Sequence, residues 1–390
     1  LIRKLSADFI FDGLQLLPNA VLTVSDEGEV LSLTTRSIET ESVEHFDGIL
    51  CPGFINAHCH LELSHLKGKV SPGHGLAQFV KELVPKRLAP GSEIDAAIRA
   101  AESEMLENGI VGVGDICNSE ATFPTKAVSA IRYHSFMEIF SPDPNKASDM
   151  LAHGKTLEKR MKQMNPRAQV SVTPHAPYSV SDKLFGLLSE HCYTSDYPLS
   201  IHNQETPSED EFFLKGSGAM FDLMKAFFPG MVDFKPTGYR SLPSHIVKLP
   251  KCNPVLLVHN TQTQAADIQK ARQYNPNLWF CLCPKANLYI ENQLPELGIF
   301  LDYSDKVVVG TDSLASNDAL SVLEELKVLK QHFSSLKTAD LLRWGTSNPA
   351  KFFGWKDFGS FESGTFPGVN WLKNIEKGEI TSDTKVEVLL

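Results

Sequence analysis

Residues 51–65 read CPGFINAHCHLELSH, an apolar run that ends in His58 and His60. The two imidazoles stand at i and i+2, so both project from one face if a strand continues through them. Other apolar runs end in ligand-type residues too: His175 in QVSVTPH, His202 with Glu205 in PLSIHNQE, His259 in NPVLLVHN and Asp312 in KVVVGTDS. Any one of these histidines alone reads as a satisfied core residue; their recurrence at the same place in successive runs does not. His58, His60, His202 and the carboxylate of Asp312 make an N₃O set that zinc accepts while keeping a position for water. The same mixture suits iron. The expectation is one divalent ion, zinc before iron. Without it, Asp312 would be a carboxylate at a buried strand end with no partner, which is costly.

Glu205 follows His202 by three residues, so one short turn offers a ligand and a free carboxylate to the same cavity. Such a group takes a proton from attacking water and returns it to a leaving nitrogen. The bland alternative is a surface glutamate opening the acidic stretch ETPSEDE. His259 reads as a hydrogen-bonding group over the attacking water in preference to a further ligand. A two-metal site would want a bridging lysine at the end of the fourth strand. That end reads Thr173-Pro174-His175, so one metal is expected.

These residues need a scaffold that brings strand ends together. Eight short apolar runs recur at 52–58, 109–116, 130–139, 169–175, 198–205, 253–260, 278–284 and 306–313. Most are separated by helical candidates such as EIDAAIRAAESEMLENG, SDKLFGLLSEHC and TQAADIQKARQY. Nearly continuous apolar strands with crossover helices imply a parallel sheet covered on its faces. Eight such units fit an α/β fold of the closed (β/α)₈ type, whose strand ends converge on one face. The barrel is expected over 53–355, with an insertion at about 206–250 that covers the site as a lid or lines its pocket. Residues 1–52 and 356–390 hold short β-type runs broken by turns, and together they predict one small composite β-sandwich.

The formal net charge of -10, with no basic block, gives no electrostatic case for nucleic acid or an anionic membrane. No stretch approaches 18 uninterrupted apolar residues. Seven scattered cysteines, an odd number and half of them in apolar runs, suggest free thiols in a reducing compartment, hence the cytoplasm. No Gly-rich phosphate loop appears, which weakens any nucleotide polyphosphate substrate.

The motifs resemble those of the amidohydrolase superfamily, in its branch of metal-dependent aminohydrolases, over essentially the whole chain. That branch includes chlorohydrolases and deaminases of guanine, cytosine, adenosine and S-adenosylhomocysteine. PGFINAHCHLE is similar to the opening motif, with Cys59 where Thr is usual. TPHAPYSVS at 173–181 resembles the adenosine and thioadenosine members. IHNQE and LVHNT match the strand-five and strand-six motifs. CLCPKANLYI keeps Asn287 but has Ala286 in place of Ser, and VGTDSLASNDALSVLEE has Ser313 in place of Gly.

The resemblance implies that His58, His60, His202 and Asp312 bind metal, Glu205 shuttles protons and His259 orients water, with Asp312 also accepting a hydrogen bond from the attacking hydroxide. It implies that Glu62 and His175 look into the substrate pocket, with Asn287 on the substrate side, and that the protein is a homodimer. The expected reaction is hydrolytic deamination of a small molecule, first an adenine-type nucleoside (adenosine, S-adenosylhomocysteine, methylthioadenosine or aminofutalosine). Guanine or cytosine follows, then chloride expulsion or cyclic-amide opening. A barrel that has lost its chemistry and serves as a binding or structural subunit is the rival from another class. The intact ligand set with Glu205 argues against it.

Overall fold

The computed structural model describes residues 2–35, 42–193, 195–229, 231 and 234–390. At its centre lie eight parallel strands: β1 Phe54–Cys59, β2 Ile110–Cys117, β3 Arg132–Ile139, β4 Gln169–Pro174, β5 Leu199–Asn203, β6 Val255–His259, β7 Leu278–Leu282 and β8 Val307–Val309. They are buried along almost their whole length, because the barrel interior covers one face and helices the other. The sequence patterns predict helix ends well where caps are present. Ser181 accepts from the Leu184 N–H to start Asp182–Cys192, and Gln264 with Asp267 forms a capping box for Ala265–Tyr274.

Backbone ladders join β1 to β4 and β5 to β8 as two four-stranded runs. The two seams between them close by other means. Between β4 and β5, Thr173 pairs through its side chain: Oγ1 accepts from the Ser200 N–H at 2.8 Å and donates to the Ser200 carbonyl at 2.5 Å. The His202 N–H donates to the His175 carbonyl at 3.0 Å one step further along. Between β8 and β1, the N–H groups of Thr311 and Asp312 both donate to the His58 carbonyl, at 3.0 and 3.1 Å. Gly310 permits this approach, since a Cβ there would lie 2.7 Å from His58 Cβ and 2.8 Å from its carbonyl oxygen. The strand expected over 306–313 therefore stops at Val309, and the following residues turn inward.

Both termini build one mixed sheet, the composite sandwich unit. Its strand order is Lys385–Val388, Val369–Lys373, Glu44–Pro52, Ile2–Phe11, Ala20–Ser25, Val30–Thr35, with Leu16–Pro18 paired to Ile2–Phe11. One face packs on its own core of Leu5, Ile10, Leu22, Val24, Val30, Leu50, Phe361 and Val369. Phe11, Ile49, Leu372 and Ile380 instead join the cluster that holds Phe54, Met105 and Leu326 of the barrel. The 206–250 segment carries the helices Pro207–Lys215, Ala219–Phe227 and Ser241–His245. The second of these meets the helix Leu76–Lys86 over the barrel mouth, where Leu76, Phe79, Leu83, Met220, Leu223 and Met224 share an apolar cluster. All seven cysteines are free thiols. Among the described residues, no helix is long and apolar enough to cross a membrane.

Candidate active site

The ends of β1, β5, β6 and β8 bring their polar residues to one point. Ligand-capable atoms of His58, His202, His259 and Asp312 lie within 4.8 Å of one another, all buried. His60 joins them: its Nε2 is 3.2 Å from His58 Nε2, 3.3 Å from His202 Nε2 and 3.4 Å from Asp312 Oδ1. His259 (φ 73°) and Asp312 (φ 57°) both take the left-handed backbone conformation, which non-glycine residues adopt at a cost of about 1–3 kcal/mol. Here it swings each side chain off its strand and into the cluster.

The surroundings fix which nitrogens carry protons. His202 Nδ1 faces the His175 carbonyl at 2.8 Å and must donate to it. His259 Nδ1 faces Asn287 Oδ1 at 2.8 Å, while Asn287 Nδ2 points at the His259 carbonyl, so this imidazole also donates from Nδ1. The Nε2 lone pairs of both rings then aim at the Asp312 carboxylate and at two further imidazoles. Lone pairs and a negative charge crowded together repel unless a cation sits among them, so the donor set fits a divalent ion. Asp312 Oδ2 accepts from Ser316 Oγ at 2.5 Å, which leaves Oδ1 for the cluster. Burial pushes the Asp312 carboxyl up, but the hydrogen bond from His58 and the neighbouring His60 and His259 outweigh it and hold it below the usual range. Burial, reinforced by the neighbouring imidazoles, keeps His60 and His202 neutral, the state a ligand needs.

Glu205 sits beside the cluster with Oε1 3.6 Å from His259 Nε2. Burial, then the charges of Asp312 and Glu291, raise its pKa well above the ordinary carboxyl value. Glu209 fixes the turn that presents it, accepting from the Gln204 N–H at 2.9 Å and the Glu205 N–H at 3.1 Å.

A cavity opens above these groups. His60, His202, Glu205, His259 and Asp312 form its floor. Its walls are largely apolar, with Leu76, Phe79 and Leu83 from one mouth helix and Met224, Phe227 and Phe228 at the other. The insertion thus lines the pocket. His175 also lines it, held by Ser179 Oγ at 2.7 Å from its Nδ1. Asn287 lies behind His259 and reaches the floor through that ring. Glu62 is not among the lining residues. Its Oε1 accepts from Arg87 Nη2 at 2.8 Å, and its Oε2 from the Asn118 N–H at 3.1 Å and Ser119 Oγ at 3.0 Å.

Three polar residues of the wall escape the sequence reading: Arg87, Asn118 and Glu138. Glu138 was findable, because it too is a polar residue near the end of a buried apolar strand. Arg87 carries no such signal, since its role depends on a helix crossing the mouth.

Residues 49–367 match the amidohydrolase family. The chain belongs to that family. An aminodeoxyfutalosine deaminase from Deinococcus radiodurans is 28% identical over 366 residues, covering 87% of this chain and 83% of the relative. A Helicobacter pylori adenosine deaminase is 25% identical over 307 residues, 77% of this chain and 72% of its own length. Among solved structures, Helicobacter pylori aminofutalosine deaminase in complex with methylthio-coformycin superposes with a TM-score of 0.82. It is 22% identical and covers 96% of this chain and 93% of that one. A buried histidine–aspartate cluster in an amidohydrolase barrel supports metal-dependent hydrolysis of carbon–nitrogen bonds.

Proposed function

We propose that this amidohydrolase is a hydrolytic deaminase of an adenine-type nucleoside, releasing ammonia. The observation that carries the reading is the convergence of fixed Nε2 lone pairs and the Asp312 carboxylate beside Glu205, on the floor of an apolar-walled cavity. The adenine ring follows from relatives named for aminodeoxyfutalosine and adenosine. Guanine-, cytosine- and triazine-type substrates rank behind it.

His58, His60, His202 and Asp312 would hold one ion, zinc before iron, with His259 in reach of the same point. When bound, the ion supplies a Lewis acid that makes nearby water acidic enough to attack at neutral pH. Glu205 takes the proton released as water adds to the amidine carbon, then gives it to the departing nitrogen, so that the C–NH₂ bond breaks and ammonia leaves. A carboxyl whose pKa burial has raised suits a group that serves as base and then acid. His259, its tautomer set by Asn287, holds Nε2 toward the reacting carbon. The apolar walls suit a nucleoside with an apolar 5′ group over an unadorned one. Residues 53–355 make up the catalytic barrel in this reading, with 1–52 and 356–390 as its sheet, and the free thiols suit the cytoplasm.

The test is ammonia release from metal-loaded protein given adenosine, S-adenosylhomocysteine, methylthioadenosine, aminodeoxyfutalosine, guanine and cytosine, with Glu205→Gln protein as background. Saturable turnover of an adenine nucleoside is expected. Turnover of guanine or cytosine alone, or silence across the panel with metal bound, would overturn the reading.

A further inference from the structure

Near the end of β3, the carboxylate of Glu138 lines the cavity. One of its oxygens is held: Asn118 Nδ2 donates to Oε2 at 2.9 Å. The other, Oε1, is buried and meets no donor. Its nearest neighbour of the right kind is His202 Nδ1 at 3.6 Å, but that nitrogen's proton already goes to the His175 carbonyl. A buried carboxylate oxygen without a donor is costly. A ligand hydroxyl in the cavity that Glu138 lines is one source of that donor. Glu62, by contrast, has both oxygens engaged.

The four groups form a line in which each orients the next. Glu62 holds Arg87, whose Nη2 also donates to Asn118 Oδ1 at 3.1 Å. That contact leaves the Asn118 amide nitrogen pointing at Glu138. Oε1 of Glu138 lies on the Nδ1 side of the His202 ring, and the metal cluster lies on the Nε2 side. It is therefore one imidazole away from that cluster, within the span of a nucleoside whose reacting ring sits there. A vicinal diol supplies two O–H donors, and one carboxylate oxygen has two lone pairs to receive them.

Resting on the nucleoside reading above, we propose that Glu138 receives the sugar hydroxyls of the substrate. Glu62, expected to face the substrate, positions Glu138 through Arg87 and Asn118. Glutamine at 138 is the sharpest probe. Asn118 is pinned by Arg87, so the new side chain must give its carbonyl oxygen to Asn118, and its NH₂ then stands where Oε1 was. A donor replaces the acceptor with almost no change in shape.

The experiment measures kcat/KM of the metal-loaded enzyme for its best nucleoside and for the 2′,3′-dideoxy and 7-deaza counterparts, in wild type, Glu138→Gln and Glu138→Ala. In wild type the dideoxy compound should be at least about a hundredfold poorer, as for sites built around a substrate hydroxyl. In both variants that ratio should fall below about tenfold, the loss falling on the ribonucleoside, while the 7-deaza ratio holds. Glu62→Ala should narrow the diol ratio in wild type and add nothing on top of Glu138→Gln. A diol ratio that stays wide in Glu138→Gln, or is narrow in wild type, overturns the assignment. So does a change confined to the 7-deaza ratio, which would put Glu138 against the base. Absence of any nucleoside turnover in wild type would sink the parent reading instead.

Discussion

A proton's position decides what His202 and His259 can do. Each has its Nδ1 hydrogen taken by a neighbouring oxygen, so each turns a lone pair to the same point as Asp312. Removing the carboxylate with Asp312→Ala should weaken metal binding by more than about tenfold and lower the rate with it, read as metal per protein after dialysis. Unchanged stoichiometry would take Asp312 out of the ligand set. Glu205→Gln should behave differently: metal content and melting temperature are kept, while kcat falls by about 10²–10⁴. Wild-type-like turnover would remove the proton-shuttle role. At this scale the ligand-type residues were legible because each ends an apolar run. Glu62 was legible as a polar group near the site, but its orientation was not. It is settled by Arg87, 25 residues away and on a different element, and no local pattern announces that pairing.

Thr173 shows how an element's edge can depend on one side chain. Its hydroxyl stands in for the backbone ladder between β4 and β5, serving both the N–H and the carbonyl of Ser200. Thr173→Val keeps the shape but leaves two buried backbone groups unpaired, and should lower stability by about 2–4 kcal/mol in chemical denaturation. A loss under about 0.5 kcal/mol would mean that the seam closes without it. The strands themselves were readable: burial on both faces makes them continuous apolar runs, and seven of the eight extend over most of the predicted span. The exception, 306–313, overran because Val-Val-Val-Gly reads as one strand. Only the close approach of Gly310 to His58 and the left-handed Asp312 reveal that the chain leaves the sheet.

Taken whole, the molecule joins its terminal sheet to its barrel through a shared part of the apolar interior. Because Phe11, Ile49, Leu372 and Ile380 pack into the barrel's cluster, the terminal sheet and the barrel should melt together. Calorimetry should show one transition; two well-separated ones would contradict it. A pH dependence is also built in. Burial raises the Glu325 carboxyl to about 8 from an ordinary 4.5, against the hydrogen bonds from the Lys285 N–H and Asn317. Below about 4.5 both folded and unfolded forms hold this proton. Between about 4.5 and 8 only the folded form keeps it, so stability falls as pH rises and levels off above about 8. In Glu325→Gln the melting temperature should decline less steeply across that window, whatever its absolute height. An equal slope would mean that Glu325 is ionised in the native state.

The two seams have a mechanical consequence. The barrel is a pair of crescents, and the groups that converge on its floor are drawn from both: His58 and His60 from the first, His202, His259 and Asp312 from the second. His202 and Asp312 stand at the joints themselves, each giving its backbone N–H across to the opposite crescent. An ion held by His58, His60, His202 and Asp312 would be a rivet as well as a reagent. Stripping it with a chelator should let the joints breathe, and amide deuterium uptake should quicken first at Ser200, His202, Thr311 and Asp312, ahead of the ladders inside either crescent.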